Sequence, residues 1–306
     1  MVFLILPLSL WAQEGKLGYQ FLNIPVSAHS AALGGANISI VEDDASMMWT
    51  NAAMLTNVSD NSIVLGYNSY IRSSNLMSAG YTKAIGERGT WALGAQMLDY
   101  GKMDETDEYG TVVGRFSAKD LNFQTSYSYL LSDYWSGAIV AKLLLSNYAE
   151  YSSTAIGADL ALNYFDEGHG FSFSIVGRNL GGQIKSLNDD GRKESLPFDL
   201  ALGLSKDFAN APLRVSLTAD DVTHWDDVKF IQHFVLGADV LPSKNTWVAL
   251  GYNFRRAHEM KVANKSHWAG FSIGAGLNVK KFKVGVAYGN YHIAASSLLI
   301  NAAFSL

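Results

Sequence analysis

From residue 62 onward the chain breaks into segments of about ten residues in which every second side chain is apolar, the period that sets one row of side chains on each face of a β-strand. In 270–279, Phe271, Ile273, Ala275, Leu277 and Val279 share one face, and Ser272, Gly274, Gly276 and Asn278 share the other. Phe198, Leu200, Leu202 and Leu204 oppose Asp199, Ala201, Gly203 and Ser205 in the same way. The last segment sets Leu298, Ile300, Ala302, Phe304 and Leu306 against Leu299, Asn301, Ala303 and Ser305. One face is oily and the other is small or polar.

Alternation also fits a soluble sandwich, whose apolar face points inward. Three features favour lipid on the apolar side. The second face carries glycine, serine, asparagine and single charges where a water-facing strand would carry many Lys, Glu and Thr, and only 17% of the chain is charged against roughly 25% in soluble domains. Aromatic residues stand at strand ends, as interfacial girdles require: Trp91, Tyr100, Tyr134, Trp135, Tyr148, Trp247, Trp268, Tyr288 and Phe304. Linkers alternate between long and short. No run of 18 or more apolar residues exists, so membrane-crossing helices are excluded.

Strands are expected near 62–70, 75–84, 89–100, 118–132, 135–148, 153–165, 170–180, 196–207, 212–222, 230–241, 245–255, 268–280, 282–290 and 297–306, about fourteen in all. The fold class is therefore all-β, a transmembrane antiparallel β-barrel over 62–306. Linkers 101–117, 181–195 and 256–267 are long, whereas Asn210-Ala211, Pro242-Ser243-Lys244 and Lys280-Lys281 are turns. Long loops outside and short turns inside place the barrel in the outer membrane of a Gram-negative bacterium with both chain ends in the periplasm. On this register Asp159, Arg178, Asp199, Arg214, Asp220, Asp239 and Lys283 point into the lumen. Charges of both signs facing each other across the barrel would fill it; any one of them alone is equally well placed near a rim.

The amino terminus differs in kind. Residues 1–12 form a short apolar run ending in alanine, the core and cleavage end expected of a secretory signal peptide; the basic start is missing, so either the start codon is set too late or the signal is unusual, and a buried strand is the alternative. Residues 13–61 are rich in small side chains, with Asn51 placed to cap a helical turn through Leu55, and read as a plug or hatch folded into the lumen.

A net charge of −5 without a basic run argues against nucleic acid, and the absence of cysteine removes thiolate metal sites and thiol catalysis. Gly270-Phe271-Ser272-Ile273-Gly274 matches the nucleophile-elbow pattern, but the serine sits in unbroken strand alternation, not at a strand-to-helix turn. The seven histidines show no metal-binding spacing and are read as solvated or interfacial. The acidic stretch 104–110 could hold calcium but lacks EF-hand spacing, and reads as a solvated loop. No catalytic residue, metal or cofactor is expected.

Two resemblances follow from particular residues. Gly34-Gly35-Ala36, the acidic step through Asp44-Ala45, and Asn51-Ala52-Ala53-Met54-Leu55 ahead of fourteen strands resemble the long-chain fatty-acid transporter superfamily of outer-membrane barrels, with Ala52 where that signature has proline. Within it the chain is similar to the PorQ family of the type IX protein secretion system. The likeness is carried by Tyr19-x-Phe21-Leu22-x-x-Pro25-x-Ser27-Ala28, Leu98-Asp99-Tyr100-Gly101, Thr106 to Gly110, Leu196-Pro197-Phe198-Asp199, His224-Trp225, and Gly251-Tyr252-Asn253 with Arg255-Arg256.

The PorQ resemblance implies a non-enzymatic barrel of the cell-surface attachment complex, which holds a PorZ-like surface protein at the outer membrane. A sortase-like component there links cargo to lipopolysaccharide. Docking would then use the outer loops, with Asp104, Glu105, Asp107 and Glu108 on one and Arg255, Arg256, Lys261 and Lys265 on another. The alternative is a transporter for long-chain fatty acids or other hydrophobic small molecules, which needs a continuous apolar pocket leading to a gap in the wall.

Overall fold

The computed structural model describes residues 18–71, 73–187, 191–225, 228–260, 268–292 and 295–306. The expected signal peptide at 1–12 lies outside them. Fourteen strands close into one antiparallel barrel: β1 (Ser62–Ser69), β2 (Asn75–Ile85), β3 (Gly89–Thr106), β4 (Val112–Leu130), β5 (Trp135–Tyr148), β6 (Tyr151–Asp166), β7 (Phe171–Lys185), β8 (Asp199–Phe208), β9 (Leu213–Ala219), β10 (Phe234–Ser243), β11 (Thr246–Asn253), β12 (Phe271–Val279), β13 (Phe282–His292) and β14 (Ala295–Ser305). Each pairs with its neighbours in sequence, and β14 returns to β1 through Ser62↔Ser305 to Ser69↔Leu298, leaving no unpaired strand in the ring.

The alternation resolves as an exposed apolar outer face and an inner face packed on the N-terminal segment. Ile139, Leu160 and Leu250 are 63%, 51% and 54% exposed, an apolar belt that only a bilayer would cover, while their strand neighbours Val140, Asp159 and Ala249 are buried. The inward rows are small because residues 18–61 occupy the barrel. Helix α1 (Ala28–Ala32) lies against β11, β12 and β13. A 3₁₀ turn over Ala45–Trp49 packs on β1 to β3, and another over Ala52–Asn57 on β4 to β6. The largest fully buried side chains include Leu33, Ile38, Met47, Met48, Met54 and Leu55, so the core belongs to the plug.

Local chemistry sets these short elements. Ser27 Oγ accepts from the Ser30 N–H at the start of α1, and Gly34 at φ 96° ends it in a left-handed turn. Asn51 Oδ1 accepts from the Ala53 N–H at 3.1 Å, the cap expected from the sequence, and its amide also donates to the Ile38 carbonyl at 2.8 Å. A Cβ at Gly251 would stand 2.1 Å from the Gly34 nitrogen, so this wall glycine is what lets α1 seat.

Several expectations change. The expected loop 101–117 is a hairpin: β3 runs to Thr106 and β4 starts at Val112, leaving only 107–111 as a turn. Tyr100, Tyr148 and Trp247 belong to no girdle. The two tyrosine hydroxyls donate to the buried Asp120 carboxylate at 2.6 and 2.7 Å, and Trp247 stacks on His29 with ring centroids 3.9 Å apart. These side chains are on the inward row because interior partners exist for them, which composition at strand ends does not reveal. β9 stops at Ala219, where Asp221 at φ 57° turns the chain, so Asp220 lies just past the strand.

Candidate functional site

Two side chains of the plug and two of the wall form one ionic cluster. His29 Nδ1 donates to Glu42 Oε1 at 2.6 Å and Nε2 donates to Asp239 Oδ1 at 2.8 Å. With both ring nitrogens donating, the imidazole is the charged form. Arg214, on β9 beside β10, donates through Nε to the other oxygen of Asp239 at 2.8 Å and approaches Glu42 at 3.9 Å. Asp239 is fully buried and His29 is 3% exposed. Burial works against the charge on His29, but Glu42 and Asp239 outweigh it and raise its pKa to about 9. Burial likewise opposes the charge on Glu42, and His29 with Arg214 nevertheless holds that carboxyl below its usual range. Lys283, on β13, adds a second clamp by pairing with Asp43 of the plug at 2.5 Å.

The remaining lumenal charges also find partners. Arg178 bridges Asp199 on the adjoining β8 and Asp220. Lys142 pairs with Asp159 at 2.7 Å and donates to Asn179 Oδ1 at 2.8 Å. All seven charges named from the sequence are on the inner side, but they do not pair across the lumen as expected. Asp199 with Arg178 and Asp239 with Arg214 are registered neighbours on adjoining strands, and His29, Glu42 and Asp43 of the N-terminal segment meet the wall charges from the interior. Sequence reading missed Lys142, although Ser136, Ala138, Val140, Leu144 and Ser146 share its inward row. It also misplaced His29, read as solvated, because its partner Asp239 stands 210 positions away.

The candidate docking residues are not brought together. Asp104 and Glu105 lie on β3, where Asp104 pairs with Arg115 of β4 at 2.9 Å. Asp107 shapes the hairpin turn by accepting from the Tyr109 and Thr111 N–H groups, and Glu108 is exposed at that turn. Across the barrel, helix α2 (Phe254–Glu259) carries Arg255, which donates to Asp221 at 2.6 Å and to Glu259 at 2.8 Å, and Arg256, whose N–H donates to Asn253 at 2.9 Å. Lys261 and Lys265 lie outside the described residues. Ser272 of the elbow-like pattern sits within β12, accepts from the Gly34 N–H at 2.9 Å and donates to the Ala32 carbonyl at 2.8 Å; its hydroxyl holds the plug.

Between plug and wall lies a polar cavity of about 60 Å³, bordered by His29, Glu42, Asp44, Trp247 and Lys283. Larger apolar hollows of about 500 and 770 Å³ lie on the outer wall, over Leu204, Leu236 and Leu250 and over Leu93, Phe123 and Leu143.

No protein-family model and no curated protein matches the chain. Solved structures do. The toluene transporter TodX of Pseudomonas putida superposes with a TM-score of 0.58 at 12% identity over 92% of this chain and 97% of that one. The CymD monoaromatic hydrocarbon channel gives 0.60 at 13% identity over 93% and 98%. A FadL homologue of Pseudomonas aeruginosa gives 0.58 at 10% identity over 95% and 99%. The fold is that of FadL-like outer-membrane barrels. At these identities the likeness is one of fold alone, and the narrower PorQ resemblance has no counterpart among these neighbours.

Proposed function

We propose that the chain is a non-enzymatic outer-membrane barrel that tethers a PorZ-like surface protein in the attachment complex of a type IX secretion system. The lumen carries this reading. A channel for fatty acids needs an interior apolar pocket, and pockets for ligands of that size measure roughly 300–1,000 Å³. Here the inward apolar positions Leu76, Leu98 and Leu144 are covered by Phe21, Ile24 and Tyr19 of the chain's own N-terminal segment. The cavity beside the plug has room for a few waters and is lined by charges. The hollows large enough for hydrocarbon lie on the outer wall and not in the lumen.

Transport of hydrophobic small molecules is the second reading, favoured by the fold neighbours, two of which are named for hydrocarbon passage. It requires the plug segment to leave the apolar compartment when ligand enters. Deleting the gene separates the two. Tethering predicts loss of the surface protein into the medium and loss of attached cargo. A fall in fatty-acid uptake, with the surface protein still cell-bound, would establish transport instead.

A further inference from the structure

The β3–β4 hairpin rises beyond its neighbours. β2 last pairs with β3 at Asn75↔Asp99, and β5 last pairs with β4 at Ala118↔Tyr148. Above these points Met103–Thr106 and Val112–Phe116 pair only with each other among the described residues. A two-stranded ribbon alone is marginal in water, and its outer edges carry unmatched backbone N–H and C=O groups. The tip nonetheless closes on its own hydrogen bonds. Asp107 accepts from Tyr109 and Thr111, the Asp107 N–H donates to the Thr111 carbonyl at 2.9 Å, and Gly110 adopts φ 80°. This turn holds Tyr109, Val112 and Val113 outward at 84%, 56% and 61% exposure, away from the lipid-facing belt.

We propose that this hairpin is the grip for the surface partner: an extended strand of the partner adds to its free edge, and the apolar tip is buried in the partner. The proposal rests on the tethering reading and names the surface that performs it. Free backbone groups along an edge are matched by another polypeptide strand and not by hydrocarbon. Asp104, Glu105, Asp107 and Glu108 outnumber Lys102 and Arg115, which disfavours anionic lipopolysaccharide as the cover and calls for basic residues flanking the partner's strand. The acidic groups steer the encounter, whereas Tyr109, Val112 and Val113 set how long it lasts.

The test places full-length Tyr109→Ser/Val112→Ser/Val113→Ser, the single Val113→Lys, and a gene deletion in the native outer membrane. It measures the surface protein on cells against that in the medium. Heat-modifiable gel mobility reports whether each barrel is folded. Both variants are expected to fold, with cell-bound partner falling about tenfold for the triple variant and less for the single one. If deletion releases the partner but both folded variants retain it, the grip lies elsewhere and the proposal fails while tethering stands. If deletion itself releases nothing, tethering fails and the proposal with it. A wild-type dimer that the triple variant converts to monomer, with retention unchanged, would assign the tip to a second copy of the chain and overturn the proposal.

Discussion

His29→Ala removes the cation that joins plug to wall. Asp239 then keeps only Arg214, and Glu42 is left 3.9 Å from the same guanidinium, so two carboxylates share one cation in a buried site. Breaking a buried pair in this way costs about 3–5 kcal/mol. The electrostatics point the same way: Glu42 and Asp239 raise the His29 pKa from 6.5 to about 9, which favours the charged, seated form. Loss of the Trp247 stack adds to this. The chain has no cysteine, so Ala45→Cys, 1% exposed within the plug, provides a unique thiol. Its labelling rate, normalised to the unfolded chain, reports plug opening. His29→Ala is expected to speed labelling about 100-fold, and Glu42→Gln in the same background to recover much of the loss by restoring charge balance. The pH dependence has a fixed sign. Because the pKa is higher in the seated state, this stabilisation is complete below pH 6.5 and is lost as pH rises towards about 9. Normalised labelling should therefore quicken across that window in the wild type and stay flat in His29→Ala. A variant that labels at the wild-type rate would refute the clamp.

Other substitutions follow from the same geometry. Gly251→Ala should unseat α1, at about 1–3 kcal/mol or more, because backbone and not a flexible side chain stands in the way; the thiol assay reads it. Arg178→Ala leaves Asp199 and Asp220 without their shared cation and should lower the urea midpoint of the barrel by an amount equivalent to about 3–5 kcal/mol, with Asp199→Asn milder. Lys142→Met should destabilise by a similar amount through the buried Asp159, and Lys142→Met/Asp159→Leu should recover it. Converting Asp104, Glu105, Asp107 and Glu108 to amides should slow partner association and flatten its salt dependence, leaving barrel insertion unchanged; unchanged association kinetics would remove those charges from the encounter.

The period-two pattern set about fourteen strands and sorted the two faces of each, because a one-residue slip exposes a whole row of side chains to the wrong medium; the scarcity of charge, the placing of aromatics and the alternating linker lengths were needed to choose a barrel over a sandwich. Asn51 and the small residues after Ser27 made a capped turn and close backbone packing legible, since these are local properties. Loop 101–117 was misread because Asp104 to Gly110 has turn chemistry, while the pairing of Met103 with Phe116 and of Asp104 with Arg115 depends on registering two strands. The ionic clamp could only be decided in three dimensions. His29, Glu42, Arg214 and Asp239 lie on four separate stretches of chain, and nothing local distinguishes His29 from a solvated histidine. Its charge is fixed by two carboxylates and a burial that exist only once the plug is seated within a closed wall.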